Sequence, residues 1–476
     1  MAKKIPEIVA PGGSWSKAVI AALNGAEAVY VGVPFTSLRM RQNKIKTFEL
    51  LRKTIDDIHK IGAKAYLTMN IFPRNIDIKV FESIVERISD LWADAIIFSD
   101  PGTYKIIRKY LPDIPLHLST QTNTLNRAAV KFWYDLWVKR IVLARELHIK
   151  EIEEIKNKVP DMELEVFVHG AMCMSYSGRC LLGEYFSGRD GNKWECSHVC
   201  RYKFKVYLEE EKRPWRLFQL VEDEQWSYLL SSKDLCTIER LWELLNIVDW
   251  LKIEWRSKSE FYVASTVKAY RHVRDAILSW KKIDEEIKNL VYKIPHRYYW
   301  EWFLFNDIRF TPEMEITDWK GNLKEEFQKL SENDIRRKIY NINDDILEKK
   351  NIRELLEIIK DDDINCCGDF LPGYTLSSIT YDRAWPLKIG QYLWYTFSTL
   401  DDYLEGKEYN ILNFVPKDTI FPGQQLNFIA PYGLWKVKIE GIYDLNEKPL
   451  DKATCNYPVV KIKFSKPLRG FEVFYK

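Results

Sequence analysis

Eight short apolar, β-rich runs recur between residues 7 and 256, and the segments separating them carry a helical rather than an alternating pattern. The runs are EIVAP (7–11), AVYVG (28–32), AYLTMN (65–70), AIIFSD (95–100), LHLST (116–120), RIVLAR (140–145), LEVFVHG (164–170) and WLKIEWR (250–256). Between them, stretches such as FELLRKTIDDIHKIG and VFESIVERISDLWAD repeat their apolar positions every three or four residues, the period of an amphipathic helix. Eight strands alternating with helices predict an α/β fold, a (β/α)8 TIM-like barrel over residues 1–275. An open doubly wound sheet is the alternative that the pattern leaves standing. The gap between the seventh and eighth runs is much longer than the others, so it predicts an elaborate loop at the barrel end where catalytic groups gather.

The pattern changes twice more. Residues 276–374 are charged and read as helical, as in LKEEFQKLSENDIRRKIYNINDDILEKKNIRELLEIIKDDD, which predicts a solvated helical connector. Residues 375–476 turn to short runs broken by Gly and Pro: QYLWYTF, NILNFV, KVKIEGI, VVKIKF and FEVFY. They predict a small C-terminal all-β barrel or sandwich. In it Lys436, Lys438, Lys461 and Lys463 alternate with apolar residues, placing a basic face toward solvent; such a face keeps a module soluble and can also meet phosphates.

Composition changes the picture little. Lys and Arg total 71 against 68 Asp and Glu, so a net charge of +3 creates no global field for a polyanion. Seventeen Trp and 26 Tyr suit a packed aromatic core, with some rings available for stacking on bases. The start, MAKKIPEIVAPGGSW, has no apolar stretch of the signal-peptide kind, and no run approaches the roughly 18 apolar residues of a membrane span. The expectation is a cytoplasmic protein with no membrane partner and reduced thiols.

That expectation sharpens the cysteines. Of eight, Cys173, Cys180 and Cys196 fall in EVFVHGAMCMSYSGRCLLGEYFSGRDGNKWECSHVCR and Cys236 closes SSKDLC. They sit among Gly and polar residues, where small buried hydrophobes are not expected. Four thiolates suit an iron–sulfur cube, which accepts ligands distant in sequence. Zinc takes four thiolates too, but its modules favour paired C-x2–4-C knuckles, whereas the intervals here are six, fifteen and thirty-nine residues. A thiol nucleophile with His169 or His198 as base is the third option. Cys200, four residues beyond Cys196, competes with Cys236 as fourth ligand. The vicinal Cys366–Cys367 pair, near Asp363 and Asp369, and Cys455 lie apart. No H-E-x-x-H, G-x-S-x-G, P-loop or dinucleotide fingerprint is present, so those chemistries have no support. Polar residues at the strand ends form the rest of the candidate site: Gln121, Asn123, His169, Arg179, Arg189, Glu254 and Arg256. Convergent arginine forks favour a dianionic small molecule or an RNA backbone.

EIVAPGGSW, HLSTQTNTLN, VLARE, FVHGAMCMSYSGRCLLGEYFSGRDGNKWEC, CRYKF, SSKDLC and LKIEWRSKSEFYV together resemble the collagenase-like peptidases, peptidase family U32. The resemblance covers the barrel region and fades after residue 280. It implies an enzyme that hydroxylates without molecular oxygen, acting on tRNA wobble uridine, ribosomal RNA or a quinone precursor, with prephenate as hydroxyl donor for the RNA substrates. It implies a [4Fe-4S] cluster on Cys173, Cys180, Cys196 and Cys236, which selects Cys236 over Cys200. The CRYKF…SSKDLC spacing resembles the tRNA hydroxylase branch most, so tRNA and prephenate or a similar dicarboxylate are the expected partners. On this reading His169 or Glu254 moves protons, while Gln121, Asn123, Arg179, Arg189 and Arg256 bind substrate. Two departures stand out. KIEWR places Trp255 where the family has glycine, and HRYYWEWFLF replaces an aromatic–Thr-Thr-Gly segment. A cysteine- or metal-dependent peptidase and a zinc-stabilised RNA-binding protein are the alternative readings.

Overall fold

The computed structural model describes residues 5–37, 43–173, 175–187, 190, 200, 222–223, 226–227, 234–254, 259–294, 296, 299–305, 394–397, 399–416, 419–454, 457 and 459–475. Arg189, Cys196, His198, Trp255, Arg256, Cys366, Cys367 and Cys455 lie outside these residues, as does the expected connector from residue 306 onward.

Seven parallel strands run in sequence order: β1 (Glu7–Pro11), β2 (Ala28–Gly32), β3 (Lys64–Met69), β4 (Ala95–Phe98), β5 (Leu116–Leu118), β6 (Arg140–Val142) and β7 (Glu163–Ala171). An eighth, the closing strand Trp250–Ile253, pairs in parallel with β1 at Ile8↔Leu251 and with β7 at Leu251↔Val166. The sheet thus closes into the (β/α)8 barrel. Its strands read as nearly continuous apolar runs because both faces are covered, one by helices and one by the barrel interior.

The helices begin where the sequence supplies caps. Ser14 Oγ accepts from the Lys17 amide at the start of α1 (Trp15–Leu23), and Thr47 Oγ1 from Leu50 at the start of α2 (Phe48–Lys60). In the helix Pro101–Tyr110, Asp100 caps the N-terminus and Pro101 takes the first turn, where its missing N–H costs nothing. Ile8, Val29, Leu67, Ile96, Leu118, Ile141, Leu164 and Leu251 are fully buried between strands and helices.

The barrel interior departs from an apolar plug. Val9, Tyr30, Tyr66, Ile97 and Trp250 pack there around a charged centre. Glu165, with no exposed surface, is held 3.0 Å from Arg140 Nη1 and 2.5 Å from Lys252 Nζ. The Arg140 guanidinium lies 3.5 Å above the Trp250 ring and reaches Glu163 at 3.0 Å. Burial pushes the Glu165 carboxyl up, but Lys252 and then Arg140 outweigh it, so the group is held below its ordinary value.

Two elements differ from the sequence expectation. SSKDLC, outside the eight predicted runs, ends in a short strand, Asp234–Cys236, antiparallel to the upper end of β7. The barrel's packing also continues past residue 275. The long helix Glu260–Leu278 spans that point, and Leu290, Val291, Ile294, Leu304 and Phe305 join the same core.

The C-terminal module is a closed six-stranded antiparallel barrel of Trp394–Phe397, Tyr409–Val415, Gln425–Ala430, Gly433–Tyr443, Val460–Leu468 and Val473–Tyr475. Gln425–Ala430 escaped the sequence reading because Gln and Asn interrupt its apolar positions. Phe414, Ile439, Ile462, Phe464 and Phe474 form the module's core. It is pinned to the large barrel: Phe471 packs edge-on to Trp15 at 6.0 Å, and Tyr475 lies 5.4 Å from Phe261. Lys268 Nζ donates to the Ala430 and Pro431 carbonyls at 2.8 and 3.1 Å.

Candidate active site at the barrel mouth

Strand ends and the loops following them converge on a cavity of about 80 Å³ at the C-terminal end of the barrel. Lys252, Glu254, Phe167, Val142 and Tyr30 form its walls, and Ser37, Thr68, Asn70, Ser119, Gln121 and Arg145 its rim. Two cations therefore face this space together with one carboxylate. Lys252, 5% exposed, stands over the Tyr30 ring at 4.4 Å, and burial together with Arg140 and Arg145 pulls its ammonium below the ordinary value. Arg145 lies over the Phe167 ring at 4.5 Å with its Nη1 3.6 Å from Glu254 Oε1.

Arg145 also fastens the cysteine loop. It donates to the Ala171 carbonyl at 2.7 Å and to Ser177 Oγ at 3.2 Å. Asn123, in the left-handed region with φ 52°, donates from Nδ2 to the Ser177 carbonyl at 2.7 Å. Gly178 then passes directly over Gln121. With φ +73°, a Cβ there would lie 2.7 Å from both Gln121 Oε1 and the Gln121 carbonyl. Gln121 Oε1 and Asn123 Oδ1 are buried without a hydrogen-bond partner among the described residues. The loop that carries Cys173 and Cys180, both half-buried, is therefore clamped across the mouth.

His169 and Cys236 meet on the side of the mouth. They are register partners between β7 and Asp234–Cys236. The Tyr270 hydroxyl donates to the Val168 carbonyl at 2.8 Å and stands 3.4 Å from His169 Nδ1 and 3.8 Å from Cys236 Sγ. Rings of Tyr262, Tyr270 and Tyr299 surround the imidazole at 5.8, 5.5 and 5.4 Å. Burial raises the phenols of all three well above their ordinary values and pushes the Cys236 thiol up to about 12. The Glu254 amide donates to the His169 carbonyl at 2.8 Å, and Gly170 makes that approach possible. At its φ of +115° a Cβ would lie 2.8 Å from the Glu254 Cβ.

Of the residues proposed from sequence, Glu254 and Gln121 thus line the cavity. Asn123 braces the loop, and His169 and Cys236 form the adjoining tyrosine-walled edge. Arg179 is exposed at the end of a turn, its amide donating to the Tyr176 carbonyl at 3.0 Å, and lies away from the cavity wall. The arginine that faces the cavity is Arg145 of VLARE, whose sequence context carries no sign of that role. Lys252 was missed as well, although Trp250, Lys252 and Glu254 alternate with Leu251 and Ile253, the two-residue period of a strand whose other face is buried.

A closed parallel barrel with charged groups at its C-terminal mouth and a thiol-bearing loop fastened over it has the architecture of an α/β-barrel enzyme. The sequence profile of peptidase family U32 matches residues 13–311, and the chain belongs to that family. It is 37% identical over 337 residues to "tRNA hydroxylation protein P" of Escherichia coli, covering 63% of this chain and 74% of that protein. The Helicobacter pylori protein of that name is 40% identical over 267 residues, covering 56% of this chain and 63% of the relative. The "23S rRNA 5-hydroxycytidine C2501 synthase" of Escherichia coli is 31% identical over 273 residues, covering 57% and 40%. Among the described residues no helix is long and apolar enough to cross a membrane.

Proposed function

We propose that the chain is an RNA hydroxylase that converts a uridine of tRNA, at the wobble position, to its 5-hydroxy form without molecular oxygen, with prephenate supplying the hydroxyl group. The observation that carries this reading is the pair of buried cations, Arg145 and Lys252, facing one cavity beside the cysteine loop, in a chain 37% identical to a tRNA hydroxylation protein. Prephenate has two carboxylates. A guanidinium and an ammonium fixed on opposite supports suit such an anion, because both are already desolvated and oriented before it arrives.

A [4Fe-4S] cluster is part of the proposal, held by Cys173, Cys180, Cys236 and Cys196, the last outside the described residues. The donor chemistry agrees. Cys173, Cys180 and Cys236 offer thiol sulfur at one end of the barrel, and a buried thiol such as Cys236 ionises when a metal takes it as ligand. Among the described residues no three His, Cys, Asp or Glu side chains are already gathered at ligating distance. When bound, the cluster would supply redox capacity; replacing C–H by a hydroxyl at the oxidation level of water withdraws two electrons from the base, so the reaction as proposed takes a two-electron acceptor as co-reactant besides prephenate.

The chain's own residues divide the remaining work. Arg145 and Lys252 bind carboxylate, Glu254 is placed to accept a proton inside the cavity, and the clamped loop excludes water. Cys236 is a poor thiol nucleophile. It is buried, that burial pushes its thiol up to about 12, and the Tyr270 hydroxyl stands beside both it and His169.

The test is nucleoside analysis of tRNA from cells lacking their uridine hydroxylase and supplied with this chain, together with iron and acid-labile sulfide analysis of protein purified without oxygen. A uridine gaining one oxygen, absent with Cys236→Ala and dependent on prephenate, is the expected result. Unmodified tRNA alongside peptide cleavage that survives loss of iron would replace the proposal with a peptidase. Stoichiometric zinc with no visible absorption would leave an RNA-binding protein.

A further inference from the structure

The basic face of the C-terminal barrel is not uniform. Lys461 and Lys463 are neutralised by Glu447 at 2.7 Å and Glu440 at 3.1 Å, as surface lysines commonly are. Lys436 and Lys438, both exposed, have no carboxylate partner among the described residues. Their cross-strand neighbours explain why. In the ladder Lys438 stands opposite Gln425 and Lys436 opposite Asn427, and on the other side the Lys438 amide donates to Ser465 Oγ at 3.1 Å. The facing positions on Gln425–Ala430 are thus amides, and Glu440, the carboxylate two residues along the same strand face from Lys438, is engaged by Lys463.

Residues two apart on one strand face are about 6.8 Å apart, the scale of the step between consecutive phosphates of a nucleic-acid strand. Beneath the patch, Val437 and Ile439 are buried in the module's core, so the backbone carrying the lysines is fixed. The module is in turn pinned to the large barrel through Phe471, Tyr475 and Lys268.

We propose that Lys436, Lys438, Gln425 and Asn427 form a docking surface for the sugar–phosphate backbone of the RNA substrate, holding tRNA while the target base enters the large barrel. The inference rests on the RNA-hydroxylase reading and adds the surface by which this chain grips its substrate. Ammonium groups neutralise phosphates without reading sequence, while the amides can bond ribose hydroxyls, so affinity here is general and salt-dependent.

The experiment is tRNA binding to the full chain by fluorescence anisotropy across a salt series, for wild type, the double variant K436E/K438E and the control K150E/K158E. The control makes the same charge change on exposed lysines of Ile149–Lys158, on the outside of the large barrel. K436E/K438E should bind roughly tenfold or more weakly, with the log–log salt slope flattened by about two units, while the control stays close to wild type. Equal weakening in both variants would mean that net charge alone matters and would overturn the surface. So would a double variant that loses binding to anionic lipid vesicles but keeps its tRNA affinity. If wild type binds tRNA and hydroxylates it while K436E/K438E binds equally well, the surface assignment fails and the reaction stands. If wild type binds no tRNA, the RNA reading fails with it.

Discussion

Replacing Glu165 by Gln tests the account of the barrel interior most directly. Glu165 has no exposed surface and is the shared acceptor of Arg140 and Lys252, themselves 3% and 5% exposed. Gln keeps the shape and removes the charge, leaving two buried cations with one carboxylate fewer between them. Breaking such a pair from one side costs about 3–5 kcal/mol, because the orphaned charge cannot regain water. For a chain of this size, with an unfolding entropy of about 1 kcal/mol/K, that corresponds to a fall in Tm of roughly 3–5 °C. The pairing also sets a sign for pH. The folded Glu165 carboxyl titrates below its unfolded value, so its contribution is complete above the unfolded value and is lost as pH falls through the folded one. Thermal scans of wild type and E165Q from pH 7 down to pH 3 should therefore converge at the acid end. Adding Lys252→Met to E165Q removes one orphaned cation and should restore part of the loss. A shift under about 1 kcal/mol at pH 7, or a double variant less stable than E165Q, would falsify the network argument.

Three further expectations rest on the mouth and on the contact between the barrels. Gly178→Ala forces a side chain into a left-handed position and against Gln121; it should loosen the cysteine loop, seen as faster proteolysis near Cys180, with the barrel's unfolding unchanged. Arg145→Lys keeps the charge but not the fork, so prephenate binding by calorimetry should weaken about tenfold to a hundredfold; unaltered affinity would remove Arg145 from substrate binding. Burial brings the Lys268 ammonium down to about 8 from its ordinary 10.5. Stability should therefore rise between pH 8 and 10.5, where the unfolded chain holds the proton and the folded one has released it. The carbonyls of Ala430 and Pro431 offset part of the cost. Lys268→Met should flatten that rise in thermal scans.

Much of the fold was legible because its physics is local. AVYVG and AIIFSD are nearly unbroken apolar runs since parallel barrel strands are covered on both faces, and their helical neighbours announce themselves by period and caps. The strand Asp234–Cys236 was not legible. Three residues form a strand only because β7 extends beyond the barrel to pair with them, which is a tertiary fact. The site divided in the same way. Glu254 and Gln121 follow predicted strand ends and point where strand ends point. Arg179 lies in the cysteine motif yet is exposed to solvent, while Arg145 stands in the turn three residues beyond β6 and faces the cavity. Proximity in sequence to the cysteine motif was a weaker guide to the cavity lining than position just beyond a barrel strand.

The register between β7 and Asp234–Cys236 bears on how this chain can vary. Ala171 pairs with Asp234, so the excursion over residues 172–233 leaves the barrel and returns to it at the same rung. Its two ends stay together whatever its length. Closing a longer loop costs little, about 0.6 kcal/mol for each doubling. Insertions and deletions there leave Cys236 opposite His169, because the ladder and not the chain length sets that position. The pairing of Cys236 with His169 is thus a fixed socket, set by the ladder independently of how much chain runs between Ala171 and Asp234.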